Sequence, residues 1–199
     1  MKRFALLLVL VTVFSSAQAW AYKILYAEQY YRLYHKHLYQ YPEDISEAIY
    51  YLELALKADF ANPLNALAVI GTRVEWERYR QLFKVHVNLK LTENYLKLGS
   101  KYDKMYAYFF NKPWKETNLK SLEKAERIYN MAYYYWTEAR GTAESIAPSY
   151  IHLDEIQFWE DELFRMKNGD LDYEEIIDAQ LSRLKKVRAL FEAMDDTTY

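Results

Sequence analysis

The sequence predicts an all-α protein, and three observations carry that prediction. Gly and Pro number only four each in 199 residues, against roughly 7% and 5% in average chains, so tight turns are scarce. Apolar and aromatic residues recur three and four apart, the period of a helix with one buried face, and no stretch alternates at period two. Large side chains are abundant, with 21 Tyr, 5 Trp and 9 Phe, which suits long helices packed by rings. The expected architecture is about six to seven helices, arranged as stacked antiparallel pairs or as an irregular bundle.

The breakers set the elements in order. A first helix is expected over residues 22–40, with Tyr22, Tyr26, Tyr30, Tyr34 and Leu38 on one stripe, ended by Pro42. Asp44 to Glu47 has the form of a capping box, in which Asp44 accepts from the next turn's amides and Glu47 reaches back. The second helix then runs to about Phe60. Asn62-Pro63 reads as a cap and first-turn proline for a short third helix stopping near Gly71. Thr72 to Glu75 caps the longest helix, up to about 38 residues before Pro113 and bent at Gly99. Its stripe holds Phe83, Val87, Tyr95, Leu98, Tyr102, Met105 and Phe109. Residues 111–114 form a loop, a fifth helix spans about 118–140, and 141–147 is a small-residue connection. Pro148 opens a sixth helix with the stripe His152, Ile156, Trp159, Leu163 and Met166. Gly169 stops it in the left-handed conformation, and Asp172 caps a last helix that buries Ile177, Leu184, Val187, Phe191 and Met194.

The first 21 residues read as a secretory signal rather than as fold. Lys2 and Arg3 precede the apolar run Phe4 to Phe14, and Ala17-Gln18-Ala19 or Ala19-Trp20-Ala21 offers a cleavage site. The competing reading is an uncleaved anchor, but a run of about 11 residues falls short of the roughly 20 that span a bilayer. Residues 22–199 are then one helical domain in the periplasm or another extracytoplasmic compartment, with no transmembrane segment left after cleavage. There is no cysteine, so neither a disulfide nor a lipidated cysteine enters. Without Lys2 and Arg3 the net charge is about −4, and nothing in that balance draws the chain to nucleic acid.

Two segments share a further pattern. Ala48, Leu52 and Ala55 recur in type and spacing as Ala125, Tyr129 and Ala132, and Tyr95-x2-Leu98-Gly99-x2-Tyr102 adds a second signature. These resemble the two helices of a tetratricopeptide repeat, with tyrosine where that family usually has tryptophan. The fit is degenerate: the two alanine sets lie 77 residues apart, Asn111 stands where an alanine should follow Tyr102, and Phe60 stands where a repeat-ending proline is expected. The resemblance implies a protein-binding scaffold, because stacked helix pairs form a concave groove. Exported, tyrosine-rich arrays of this type resemble periplasmic assembly factors, such as the accessory collar proteins around spirochaete flagellar motors.

No nucleophile elbow, phosphate-binding loop, dinucleotide fingerprint or H-E-x-x-H occurs, so the expectation is a non-enzymatic chain with no cofactor and no metal. His35 and His37 point to opposite sides of a helix, while His86 and His152 sit among apolar residues as hydrogen-bonded core or boundary groups. The carboxylates at 154–155, 160–162 and 170–175 read as solvated faces and caps. The aromatic surplus is the lead. Tyr133, Tyr134, Tyr135 and Trp136 ring one helix and cannot all face one neighbour. Tyr106, Tyr108 and Phe110, with Trp114 beyond, form a second collar. Tyr and Trp bury much area at low entropic cost, so these eight residues are the candidate contacts to partner proteins or to further copies of the chain. The alternative is a carrier holding an apolar or aromatic small molecule between helices.

Overall fold

The structure, a computed structural model, describes residues 23–104 and 111–198. The signal segment, Tyr22, Met105, Tyr106, Tyr108, Phe109 and Phe110 lie outside the described residues. Among the described residues six α-helices follow one another: α1 (Ala27–Gln40), α2 (Ile45–Lys57), α3 (Arg73–Tyr102), α4 (Lys115–Ser145), α5 (Gln157–Asn168) and α6 (Tyr173–Glu192). Single 3-10 turns occur at Pro63–Asn65, Lys112–Trp114 and Asp154–Ile156. No strand occurs among the described residues; one isolated bridge ties Tyr26 to Asp59. The fold is all-α, as the patterning predicts, and no described helix is long and apolar enough to cross a membrane.

The architecture is built around α3. It packs most extensively on α4, and also on α2 and α5, while α1 pairs with α2 and α6 with α4. Residues 85–89 of α3 are buried in unbroken succession, which only a helix covered on several sides achieves. That explains why its single expected stripe is too narrow a description. The main core joins rings from four elements: Tyr31 of α1, Phe60 beyond α2, Tyr79 and Phe83 of α3, and Trp159 of α5. A second apolar cluster of Leu122, Ala125, Tyr129, Leu184 and Phe191 closes α4 against α6. Ala48, Leu52, Ala55 and Ala132 are all buried in the main core.

Local chemistry fixes the starts of α2, α3 and α6 and the end of α5 where the sequence places them. Thr72 Oγ1 accepts from the Glu75 amide while Glu75 Oε2 takes the Thr72 amide, a reciprocal cap. Asp44 and Asp172 each accept an amide of the following turn. Gly169 has φ +80, and amides of residues 169–171 return to the carbonyls of Arg165 and Met166, a left-handed stop that glycine adopts without penalty.

Six expectations are corrected. The longest helix ends at Tyr102, with Asp103 and Lys104 outside it, instead of continuing toward Pro113. The first helix begins at Ala27, not residue 22, and its core face is Ala27, Tyr31 and Tyr34, whereas Tyr26 is exposed. The second helix ends at Lys57 rather than near Phe60. No third helix forms after Pro63. The amides of Leu67, Val69 and Gly71 bond instead to Tyr79 Oη, Glu155 Oε2 and Glu75 Oε2, alternate partners that suit an open segment. The fifth helix runs to Ser145, through Gly141, because Ala143 and Ile146 are buried beyond it; that packing outweighs the roughly 1 kcal/mol of a helical glycine. Pro148 opens no helix, since α5 starts at Gln157, and His152 stands exposed ahead of it.

Candidate functional site

A chain of polar side chains links four helices through the middle of the molecule. Tyr31 Oη lies 2.7 Å from His86 Nε2, and His86 Nδ1 lies 2.6 Å from Glu162 Oε2. Glu162 Oε1 is 3.5 Å from Lys90 Nζ, which binds Glu93, and Glu93 Oε1 accepts from Tyr173 Oη at 2.8 Å. His86 is fully buried. Burial lowers its pKa below the ordinary 6.5, against the opposing pull of Glu162, so the ring is neutral near pH 7. Nδ1–H then donates to Glu162, and Nε2 accepts from the Tyr31 hydroxyl. The order hydroxyl, imidazole, carboxylate matches that of an activated nucleophile. Burial nevertheless holds the Tyr31 hydroxyl well above the usual tyrosine range, which keeps it protonated. Neither Tyr31 nor His86 lines any of the three clefts described below. This relay locks α1, α3, α5 and α6 in register.

The sequence reading of His86 as a hydrogen-bonded core residue holds. The solvated-face reading of residues 160–162 does not hold for Glu160 and Glu162. Glu160 accepts both Nε and Nη2 of Arg78, at 3.0 and 3.2 Å, with both side chains nearly buried. His152 Nδ1 approaches the same carboxylate at 3.2 Å. Arg78, like the Glu162 partners His86 and Lys90, lies on α3, far away in sequence, so the charge run concealed these pairings. Among the described residues no group of three His, Cys, Asp or Glu is placed to hold a metal ion.

The run of four aromatics on α4 divides into two pairs. Tyr135 and Trp136 are buried, whereas Tyr133 and Tyr134 are 37% and 52% exposed. Tyr135 stacks on Tyr95, and both hydroxyls donate to Glu53 Oε1 on α2. The inner pair thereby fixes the rotation of α4, and the outer pair is presented at a defined angle. Trp114 is 45% exposed in its 3-10 turn.

A second aromatic surface was not singled out from the sequence. At the α1–α2 turn the rings of Tyr41, His37, Tyr51 and Tyr50 contact one another in series, with centroids 5.4, 5.9 and 5.7 Å apart. Tyr41 and Tyr50 are more than half exposed, and Tyr39 on the same turn is 90% exposed. The signal available in the sequence was tyrosine at both ends of the Pro42 break.

Open clefts lie among the described residues. One, of about 460 Å³, lies between the end of α4 and the α5–α6 connection, against Trp136, Arg140, Met166 and Lys167. One of about 370 Å³ lies on the other side of Lys167, against Arg78, Phe164 and Glu160. A smaller one of about 300 Å³ adjoins His152.

Residues 74–194 match a family model described as Domain of unknown function (DUF8513), a span of more than half the chain. The chain belongs to the DUF8513 family. The match coincides with α3 to α6, so the relay residues His86, Lys90, Glu93, Glu162 and Tyr173 all fall within the DUF8513 span. Tyr31 and the aromatic turn of α1–α2 lie outside it. No curated protein and no solved structure matches the chain.

Proposed function

We propose that this protein is an exported, non-enzymatic scaffold that binds partner proteins in an extracytoplasmic complex. The observation that carries the reading is the outward pair Tyr133 and Tyr134, which follows from α4 turning Tyr135 and Trp136 into the core. A pre-positioned aromatic pair loses little entropy on docking, which is how a few such residues come to dominate interface energy. The ring series at the α1–α2 turn supplies a second surface of the same kind. Export rests on the signal pattern of residues 1–21. The tetratricopeptide-like reading draws support from the buried alanines of both sets and from Gly99, whose Cα faces the ring of Tyr129 on the paired helix. Placement in an envelope or motility assembly is the finer proposal that this resemblance suggests.

The test is affinity capture of the mature protein from its native envelope, comparing wild type with Tyr133→Ser/Tyr134→Ser. The expected outcome is loss of stoichiometric partners from the variant with its melting temperature unchanged. Equal recovery of the same partners by both proteins would refute the α4 surface as the docking site. The carrier reading keeps one observation in its favour, the 460 Å³ cleft beside Trp136, whose size falls in the range of small-molecule sites.

A further inference from the structure

We propose that the cleft between the end of α4 and the α5–α6 connection binds an apolar α-amino acid as its zwitterion. This rests on the small-molecule reading of that cleft and names the ligand class.

The floor is apolar, made by the Trp136 indole with Ala143, Met166 and Leu171, and it would receive an aliphatic or aromatic side chain. The rim carries two cations, Arg140 and Lys167, and two anions, Glu144 and Asp172. A net-neutral rim of opposed charges complements a ligand carrying both signs, not a simple anion or cation. Both cations retain donors. Arg140 commits Nη1 to Glu174, but a guanidinium carries five N–H groups; Lys167 donates to the Ile146 carbonyl, but an ammonium has three. Arg140 and Glu144 are one helical turn apart on α4, so a carboxylate beside the first leaves an ammonium within reach of the second.

A second observation points the same way. The Trp136 side chain is 97% buried, with 3% relative exposure, and its indole Nε1 has no hydrogen-bond partner among the described residues. A buried N–H left without an acceptor is uncommon in folded proteins. Trp136 lines this cleft, and a ligand carboxylate is an acceptor of the kind that its indole lacks.

The experiment is isothermal titration of the full mature protein with L-phenylalanine and L-leucine, alongside two blocked probes, N-acetyl-L-phenylalanine and L-phenylalaninamide. Each blocked probe lacks one of the two charges. The expected result is saturable binding of the free amino acids, weakened at least tenfold by either block. Arg140→Gln should reduce affinity for the free amino acid and for the amine-blocked probe. Glu144→Gln should reduce affinity for the free amino acid and for the carboxyl-blocked probe. Both positions are exposed, and circular dichroism melts identify any variant that fails to fold. If blocked and free compounds bind equally well, the zwitterion assignment is wrong while the small-molecule reading stands. If none of the four binds at millimolar concentration, both are wrong.

Discussion

Replacing Gly99 with alanine tests the close approach of α3 and α4, and the structure predicts a result opposite in sign to the usual one. Inside an exposed helix the exchange stabilises by about 1 kcal/mol. At Gly99 the added Cβ would lie 2.4 Å from Cε1 and 2.7 Å from Cδ1 of Tyr129. The ring has nowhere to go. It is buried among Leu122, Leu184 and Phe191, and its hydroxyl donates to Asp103 Oδ2 at 3.0 Å. Asp103 is itself held by Arg183, with Nη1 to Oδ1 at 2.9 Å. Relief requires either moving the two longest helices apart or breaking the tyrosine hydrogen bond.

Overpacking of this kind costs about 1–3 kcal/mol, and a lost hydrogen bond about 1 kcal/mol more. Set against the helix-propensity gain, the net destabilisation is about 2 kcal/mol, or a fall of about 4–8 °C in Tm for a domain of this size. Gly141 is the internal control. It also lies inside a helix, but an added Cβ there meets nothing within 4 Å, so Gly141→Ala should raise Tm by about 2–4 °C. Introducing Gly99→Ala into a Tyr129→Leu background should cost less than in the wild type, with a coupling of about 1 kcal/mol or more. Thermal melts followed by circular dichroism read all four variants. Should Gly99→Ala and Gly141→Ala both raise Tm by the same amount, the described contact between α3 and Tyr129 is wrong.

Three further outcomes follow from the same packing. Ala55→Leu and Ala132→Leu, each placed at a fully buried alanine, should destabilise by about 1–3 kcal/mol in urea melts; two unchanged midpoints would remove the helix-pair contacts. Glu160→Ala should cost about 3 kcal/mol, because it leaves the nearly buried Arg78 guanidinium without its bidentate partner; an exposed-pair value near zero in the same melts would show that this carboxylate is solvated after all. Stability should fall with acidification. Burial lowers the pKa of His86 in the folded state, so the unfolded chain takes up this proton first. The stability contribution is therefore complete above about pH 6.5 and diminishes as the pH drops below that value. Urea midpoints at pH 7.5 and 5.0 should differ less for His86→Gln than for the wild type; equal differences would mean that His86 does not titrate as its burial implies.

What could be read from sequence here was whatever residues within one turn decide. The caps at Thr72 and Asp172 and the stop at Gly169 depend on backbone and side-chain groups two to four positions away, and each is found in place. The misread segments are those whose partners are remote. Residues 66–71 look helical until Tyr79 and Glu155 take their amides, and residues 148–156 look helical until Leu153 and Ile156 find the core. Glu162 shows the same failure at the candidate site. Its neighbours Glu160 and Asp161 make a solvent face plausible, while the groups that bind it, His86 and Lys90, lie more than 70 positions earlier. The split of Tyr133 to Trp136 was anticipated as a necessity of helix geometry, but which two rings turn inward depended on Tyr95 and Glu53.

That dependence bears on the family span itself. Residues 74–194 begin inside α3 and leave out α1 and α2. Yet the faces of α3 carrying Tyr79 and Phe83 are covered by Tyr31 and Phe60, and α4 is oriented through Glu53, all from outside the match. The relay likewise begins at Tyr31. Without α1 and α2, the face of α3 that carries Tyr79 and Phe83 would lose these covering rings. The α1–α2 hairpin is an integral layer of the fold, and its aromatic turn is carried on the same rigid frame as the tyrosine pair of α4.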